Sequence, residues 1–578
     1  MPARTGVAHV VTTTRTYQDR VYRTHLLRRS YREGGTVKNE TLGNLSHLPE
    51  ALVEIIRRSL RGETFVPLTQ AFEITRSLAH GHVHAVQLAM QRLGFASLLA
   101  SKPSRERDLV QAMVAARILC PATKLATTRR WHTSTLAQEF GVVDATEDEL
   151  YAAMDWLLAG QDRIQKKLAA RHLKEDALVL YDLSSSYVEG THCPLAKRGY
   201  SRDGKRGTLQ INYGLLTDGR GCPVAISVHP GNTADSTTFL PEVTRLREQF
   251  GIQRMVVVGD RGMISQKAID AMSEDRDIDW VTALRSTSIR ALVEQGHLQI
   301  DLFDAHNLLE ISSPEFPGER LVACRNLELA KLRAHTRADL LAATEARLQK
   351  IQARVQAGRL VGKDQIGVAA GKVVNRFKVS KHFALTMTDD ALHVARIQPH
   401  IDAEAALDGL YIIRTSVTAA RMDAATSVRT YKSLAQVERA FLSMKTMDLK
   451  VRPIHHHLEG RVRAHLLVCM LAYYVEWHMR EVWRALTFAD EEQAAKRTRD
   501  PVAPAKRSAA AQKKVTSRTL DDGSPVHSFQ TLLQDLHTIV RNTCRTPTGA
   551  QDAPTFALTT TPTPQQTRAL ALIETITL

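Results

Sequence analysis

The run Met255–Val258, within "RMVVVGDRGM", constrains this chain more than any other stretch. All four side chains are apolar with no polar alternation, so a strand built from them must be covered on both faces. Yet the run leads at once into an acid, Asp260, followed by Arg261 and Gly262. A carboxylate at the mouth of a core strand costs several kcal/mol if it stays desolvated and unpaired. A turn, an arginine or a metal ion has to compensate it.

The flanking segments predict what that strand pairs with. "ALVLYDLSSSYVE", from residue 177, reads as a strand with Asp182 inside it. "TLQINYGLLTD" and "CPVAISVHPGN" read as a hairpin turning at "TDGRG". "STTFLPEVTRLREQFG" predicts an amphipathic helix ended by a glycine, and "SQKAIDAMSED" a helix opened by Ser265. "DWVTALR" is a further strand. Three meandering strands, helix, strand, helix, strand is an α/β order with a mixed sheet and helices on its faces, the order of the ribonuclease H-like fold.

In that order the strands of Asp182 and Asp260 are neighbours, and the two carboxylates converge at one edge. Like charges that close need a cation, or one of them stays protonated. Hard oxygen ligands suit Mg²⁺ or Mn²⁺. With these two acids alone, the alternative that Asp260 merely caps its turn stays open.

A third acid comes from "YKSLAQVERAFLSMK", where Tyr431, Glu438 and Lys445 are spaced seven apart. On one continuous helix each such step drifts only about 20°, so the three form a stripe. Leu434, Val437, Phe441 and Met444 flank it and can pack it on the sheet. Tyr431 and Lys445 would then stand about 21 Å apart, too far to share one metal. They could meet successive parts of a DNA backbone.

"YDLSSSYVEG", "GNTADSTTF", "VVVGDRGM" and "YKSLAQVERAFLSMK", in this order, resemble the DDE-type insertion-sequence transposases. The resemblance is to the group whose third acid lies in Tyr-(2)-Arg-(3)-Glu-(6)-Lys and whose catalytic sheet is split by a β-rich insertion. With "VRPIHHHLEGRVRAHLLVCMLAYYVEW" it spans roughly residues 177 to 480, and "SYREGGTVKNETLGNLSHLP" is similar to the start of one branch of that group. It implies that Asp182, Asp260 and Glu438 are the catalytic, metal-binding triad for two Mg²⁺, with Mn²⁺ able to substitute. It also implies that Tyr431 and Lys445 contact transposon-end phosphates. The group's Arg position is Leu434 here, so that clamp must be weaker or come from Lys432 or Arg439.

The partners implied are the element's inverted repeats and target DNA, with a homodimer in the synaptic complex. Composition agrees independently: 77 Lys+Arg against 61 Asp+Glu give +16, a surplus that suits a polyanionic partner. The loop "KRGYSRDGKRG" adds Lys197, Arg198, Arg202, Lys205 and Arg206, read either as phosphate contacts or as a solvated turn. Rival readings are a ribonuclease H-like nuclease without strand transfer, and a DNA-binding derivative that no longer cuts.

At 578 residues the chain exceeds a single core. The expected organisation is a small basic β-hairpin and helix (1–65), then a helical N-terminal domain (66–175). The catalytic core follows in two parts (176–285 and 406–485) around an insertion domain (286–405), with a basic linker and helical extension at 486–578. Six scattered cysteines without a CxxC pair argue against a zinc site and for a reducing, cytoplasmic setting. "HLLVCMLAYYVEWHM" is interrupted by Glu476 and reads as a buried helix with no role in a membrane. Metal binding is not expected of His455–His457, since consecutive residues point apart; Trp131 and Trp280 read as core.

Overall fold

The computed structural model describes residues 6–18, 20–65, 71–275, 277–299, 303, 307–546 and 554–578. The chain divides into two compact units, Met1–Ser77 with Arg541–Thr560, and Leu78–Val540 with Thr561–Leu578. In the smaller unit, β1 (Val7–Tyr17), β2 (Arg20–Glu33) and β3 (Thr36–Asn44) form an antiparallel sheet, with helix α1 (Glu50–Leu60) against β1. The expected hairpin thus gains a third strand. Its β2–β3 turn is made by Gly34 and Gly35, both at positive φ, where a side chain would be strained. A further sheet joins β4 (Glu73–Ala79) to strands from the far end of the chain.

The larger unit is built on a nine-stranded mixed sheet. Its first seven strands in sequence are β5 (Ala177–Tyr187), β6 (Lys197–Arg198), β7 (Leu209–Asp218), β8 (Pro223–Pro230), β9 (Met255–Val258), β10 (Ile278–Ala283) and β11 (Leu308–Ile311). β12 (Arg320–Arg325) and, beyond a separate hairpin of β13 (Phe383–Met387) and β14 (Leu392–Arg396), β15 (Leu410–Thr415) complete it. The spatial order is β11-β12-β15-β10-β9-β5-β7-β6, with β8 also on β7. β9 lies between two parallel partners, Val258 pairing with Leu180 of β5 and Val281 of β10. All four of its side chains are buried, as a run without alternation requires. Helices α9 (Phe239–Glu248) and α10 (Gln266–Ser273, capped by Ser265) make the crossovers. The mixed α/β sheet and the succession β5, β7, β8, α9, β9, α10, β10 are those read from the sequence, while β6, β11, β12 and β15 are additional strands.

Seven helices between Gly81–Arg92 (α2) and Gln161–His172 (α8) precede the sheet. They include α4 (Arg105–Leu119) and α7 (Glu147–Ala159), which pack on α17 (Glu459–Val482), and α17 also meets β8. Covered in this way, α17 is buried without a break from Ala464 to Met479. Among the described residues no single helix is long and apolar enough to cross a membrane.

Two expectations are corrected. The insertion is mostly helical instead of β-rich: β11 and β12 extend the main sheet through β15. The rest is α12 (Leu327–Gln356), α13 (Lys363–Phe377), the β13–β14 hairpin and α14 (Gln398–Ala405), around a small core of Leu341, Leu348, Ile366 and Phe383. The reason is local, since α12 is rich in Ala, Leu and Arg, contains no Gly or Pro, and is opened by Asn326, which accepts from the Leu329 amide at 2.9 Å. The basic linker is folded as well. Ser508 caps α19 (Ala509–Ser517), Val502 is buried, and the Lys514 ammonium donates to the Arg484 carbonyl at 2.9 Å. Further on, α20 (Phe529–His537) leads to β16 (Val540–Arg545) and β17 (Thr555–Thr559), the strands that join β4.

Candidate active site

Asp182 and Asp260 reach one edge of the sheet by register. Each stands two residues beyond the paired Leu180 and Val258, so Asp182, still within β5, and Asp260, just past the end of β9, lie at the same level of adjacent parallel strands. Glu438 comes from α16 (Leu434–Leu442), whose buried Leu434, Val437 and Phe441 pack it on β5 and β7. The Phe441 and Tyr213 rings meet edge-on at 5.8 Å. The three carboxylates line one pocket of about 480 Å³, together with Ser184, Asp203, Lys445 and Arg452.

Their environments differ. Asp260 is exposed, so the desolvation anticipated from the sequence does not fall on it. Its backbone carbonyl closes the turn by accepting from the Met263 and Ile264 amides, at 2.9 and 3.1 Å. Its carboxylate accepts from the Tyr431 hydroxyl at 3.0 Å. The cost falls on half-buried Asp182, whose carboxyl is raised to about 7. Desolvation is the main cause, and the nearby Asp260 and Glu438 carboxylates add to it. The Leu183 amide, donating to Asp182 at 2.8 Å, and the Arg202 charge oppose the rise. Among the described residues, these acids are not a group whose ligand atoms all lie within 4.8 Å of one another.

The single stripe expected of Tyr431, Glu438 and Lys445 is corrected in its geometry. The helix stops at Lys432 (α15, Ala424–Lys432), restarts at Leu434, and widens to a π turn over Ser443–Met447. Tyr431 is turned onto Asp260, and Lys445 is buried. The Lys445 ammonium donates to Ser184 Oγ at 3.1 Å and pairs with Asp203 at 2.7 Å. Burial lowers its pKa and Asp203 opposes the change. Leu434 is a core side chain. Of its proposed substitutes, Lys432 donates to the Pro501 carbonyl at 2.5 Å, while Arg439 is exposed and donates to Gln436 at 3.1 Å.

In the basic loop, Lys197 and Arg198 are exposed on β6 and Arg206 is exposed beyond it. Arg202 forks onto both Asp235 oxygens at 2.6 Å, and Lys205 stands 3.7 Å over the Tyr187 ring. The sequence reading missed Asp203, whose side chain is fully buried between Lys445 and Arg452. One acid among five bases was the available signal. Asp235, inside "GNTADSTTF", was quoted but given no role.

Two family models match the chain. One, described as the transposase DDE domain, covers residues 174–475, just over half of it. The other, the IS1634 family transposase N-terminal domain, covers residues 10–66. The chain belongs to the DDE transposases of the IS1634 family. Its activity is DNA transposition, and transposases with this domain generally use divalent metal ions. Among solved structures, the transposase is similar to the piggyBac transposase in its cryo-EM synaptic complex with hairpin DNA. The two are 9% identical, over 78% of this chain and 77% of that one, with a TM-score of 0.34. No curated protein matches the transposase.

Proposed function

We propose that Asp182, Asp260 and Glu438 hold the divalent ions with which this transposase cuts and joins DNA at the ends of its own element. The observation that carries the reading is the convergence of three carboxylates from β5, the β9 turn and α16 on one pocket. The donor set fits Mg²⁺ or Mn²⁺: all three ligands are hard oxygens, and Asp182 is a carboxyl that a neighbouring cation would return to its ionised form. When bound, a pair of such ions supplies Lewis acidity at the attacking and leaving oxygens of an in-line phosphodiester displacement.

The chain's own residues account for the rest. The Tyr431 hydroxyl fixes the orientation of Asp260, beside the transposon-end phosphate contact that the resemblance implies for it. Asp203 holds Lys445 and Arg452 beside the acids, so the pocket offers positive charge to an entering phosphate without losing the carboxylate cluster. Lys197, Arg198, Lys205, Arg206 and Arg439 are exposed and suited to backbone phosphates. Leu434 supplies no clamp for the non-transferred strand. Water is the first nucleophile, and the freed 3′-OH then attacks target DNA. The substrates are the terminal inverted repeats and a target duplex, brought together by at least a dimer in the cytoplasm.

The test is cleavage of the gene's own flanking DNA with Mg²⁺, by wild type and Asp260→Asn. Nicking at the element boundary that disappears in the variant and with chelator is expected. Equal cutting by both proteins would remove Asp260 from the triad, and end binding without cutting by either would favour the binding-only rival.

A further inference from the structure

A second constellation lies outside the catalytic pocket. His172 ends α8, Cys222 precedes β8 after the Asp218–Gly221 turn, and His478 projects from α17. One ligand atom from each lies within 4.8 Å of the other two, and Cys222 Sγ is 3.8 Å from His478 Nε2. None of the three lines the pocket of the carboxylates. Cys222 and His478 are buried and His172 is half-buried. A cavity of about 650 Å³, lined by His172, His478, Asp218, Arg220 and Glu481, gives an ion a way in.

The three arrive there because their supports are fixed. Asp218 accepts from the Cys222 amide at 3.0 Å and from Arg220 Nε at 2.8 Å, which holds the turn. His172 Nε2 sits 3.1 Å from the Tyr474 hydroxyl, and its Nδ1 is 3.5 Å from Arg220. The His478 ring packs edge-on against Tyr474 and Trp477, at 4.8 and 4.9 Å.

We propose that His172, Cys222 and His478 bind one Zn²⁺ that fastens α8, the β7–β8 hairpin and α17 together. One thiolate and two imidazoles form a nitrogen–sulfur set, which selects zinc and disfavours the oxygen-seeking Mg²⁺ of the catalytic reading. Tetrahedral zinc places its ligand atoms roughly 3.3–3.7 Å apart, so the trio must close by at most about 1.5 Å on any edge, a matter of side-chain rotation. Binding expels the Cys222 proton to solvent. The bound ion faces the Asp218 and Glu481 carboxylates, with the Arg220 guanidinium opposing them, and water takes the fourth position. Scattered cysteines hid this site in the sequence, because its ligands come from three distant segments.

The experiment uses the full chain, stripped of metal and titrated with Co²⁺, then with Zn²⁺. One equivalent of Co²⁺ giving a sulfur-to-cobalt charge-transfer band and tetrahedral visible bands is expected, with Zn²⁺ displacing it. Cys222→Ser should abolish the charge-transfer band, while Cys120→Ser and Asp260→Asn retain it. The Asp260→Asn arm separates this site from the carboxylate triad. Zinc X-ray absorption of the wild type, fitted with one sulfur and two imidazole nitrogens, tests the ligand set even if a variant fails to fold. Absence of the charge-transfer band, its survival in folded Cys222→Ser, or an oxygen-only zinc shell would each overturn the proposal.

Discussion

Replacing Asp182 by Asn should make the metal-free protein more stable at pH 8 and abolish cleavage. The carboxyl ordinarily titrates at 3.8 and is raised here to about 7. The sign follows from a folded value above the unfolded one. The stability of the neutral form is fully present below about pH 4 and is lost as the pH rises towards 7, after which the loss is constant. The whole displacement corresponds to roughly 4 kcal/mol. Asp182 keeps some contact with water, which screens the penalty, so about 2 kcal/mol is the working figure. Asn loses that penalty and can still accept from the Leu183 amide. In a unit this large, 2 kcal/mol corresponds to roughly 2–4 °C in Tm. The assay is thermal unfolding of both proteins in chelator at pH 4, 6 and 8: a Tm difference near zero at pH 4 should open through pH 6 to its full size at pH 8. Saturating Mg²⁺ should reverse the order, because only the wild type gains binding energy from all three ligands. An Asn variant no more stable than wild type at pH 8 in chelator would refute the claim that Asp182 carries the cost of assembling the acids.

Tyr431→Phe removes the donor to Asp260 and should slow boundary cleavage about tenfold, roughly 1.4 kcal/mol, while raising the Mg²⁺ concentration needed for half-maximal rate. Single-turnover cleavage across a Mg²⁺ series checks it. Asp203→Asn leaves Lys445 and Arg452 without their buried counter-charge and should destabilise the fold by about 3 kcal/mol, read from urea unfolding. Gly214→Ala would push a methyl group into the buried Tyr181 phenol across the β5–β7 pair, costing about 1–3 kcal/mol in the same assay.

The catalytic sheet was legible because its strands announce themselves locally. The unbroken apolar run at Met255–Val258, the turn at "TDGRG" and the Ser265 cap each fix one element, and the chain order then limits how they can pair. Glu438 was legible through its spacing from Tyr431 and Lys445, and the buried Leu434, Val437, Phe441 and Met444 confirm the packed face of that segment. What periodicity did not reveal was the break at Ser433 and the π turn, since two short helices and one long one share the same pattern of apolar residues. Spacing also did not name the partners of Tyr431 and Lys445 within the protein, Asp260 and Asp203, which lie more than 150 residues away in sequence. Composition misled over 494–518, where Ala, Lys, Arg, Thr and Pro suggested a linker although a serine cap and a few buried side chains suffice to fold part of it, whereas the helices expected beyond it are present.

The parallel register of β5 and β9 presents two acids early, whereas α16 delivers the third only after the chain has passed through the whole insertion. Glu438 follows Asp260 by roughly 180 residues, and at about 5–20 residues per second a ribosome takes roughly 10–35 s to cover that distance. During that time a nascent chain can show its first two carboxylates but has no third. With the triad proposed above, a truncated or stalled product that ends before α16 lacks one of its three acids and should not nick DNA.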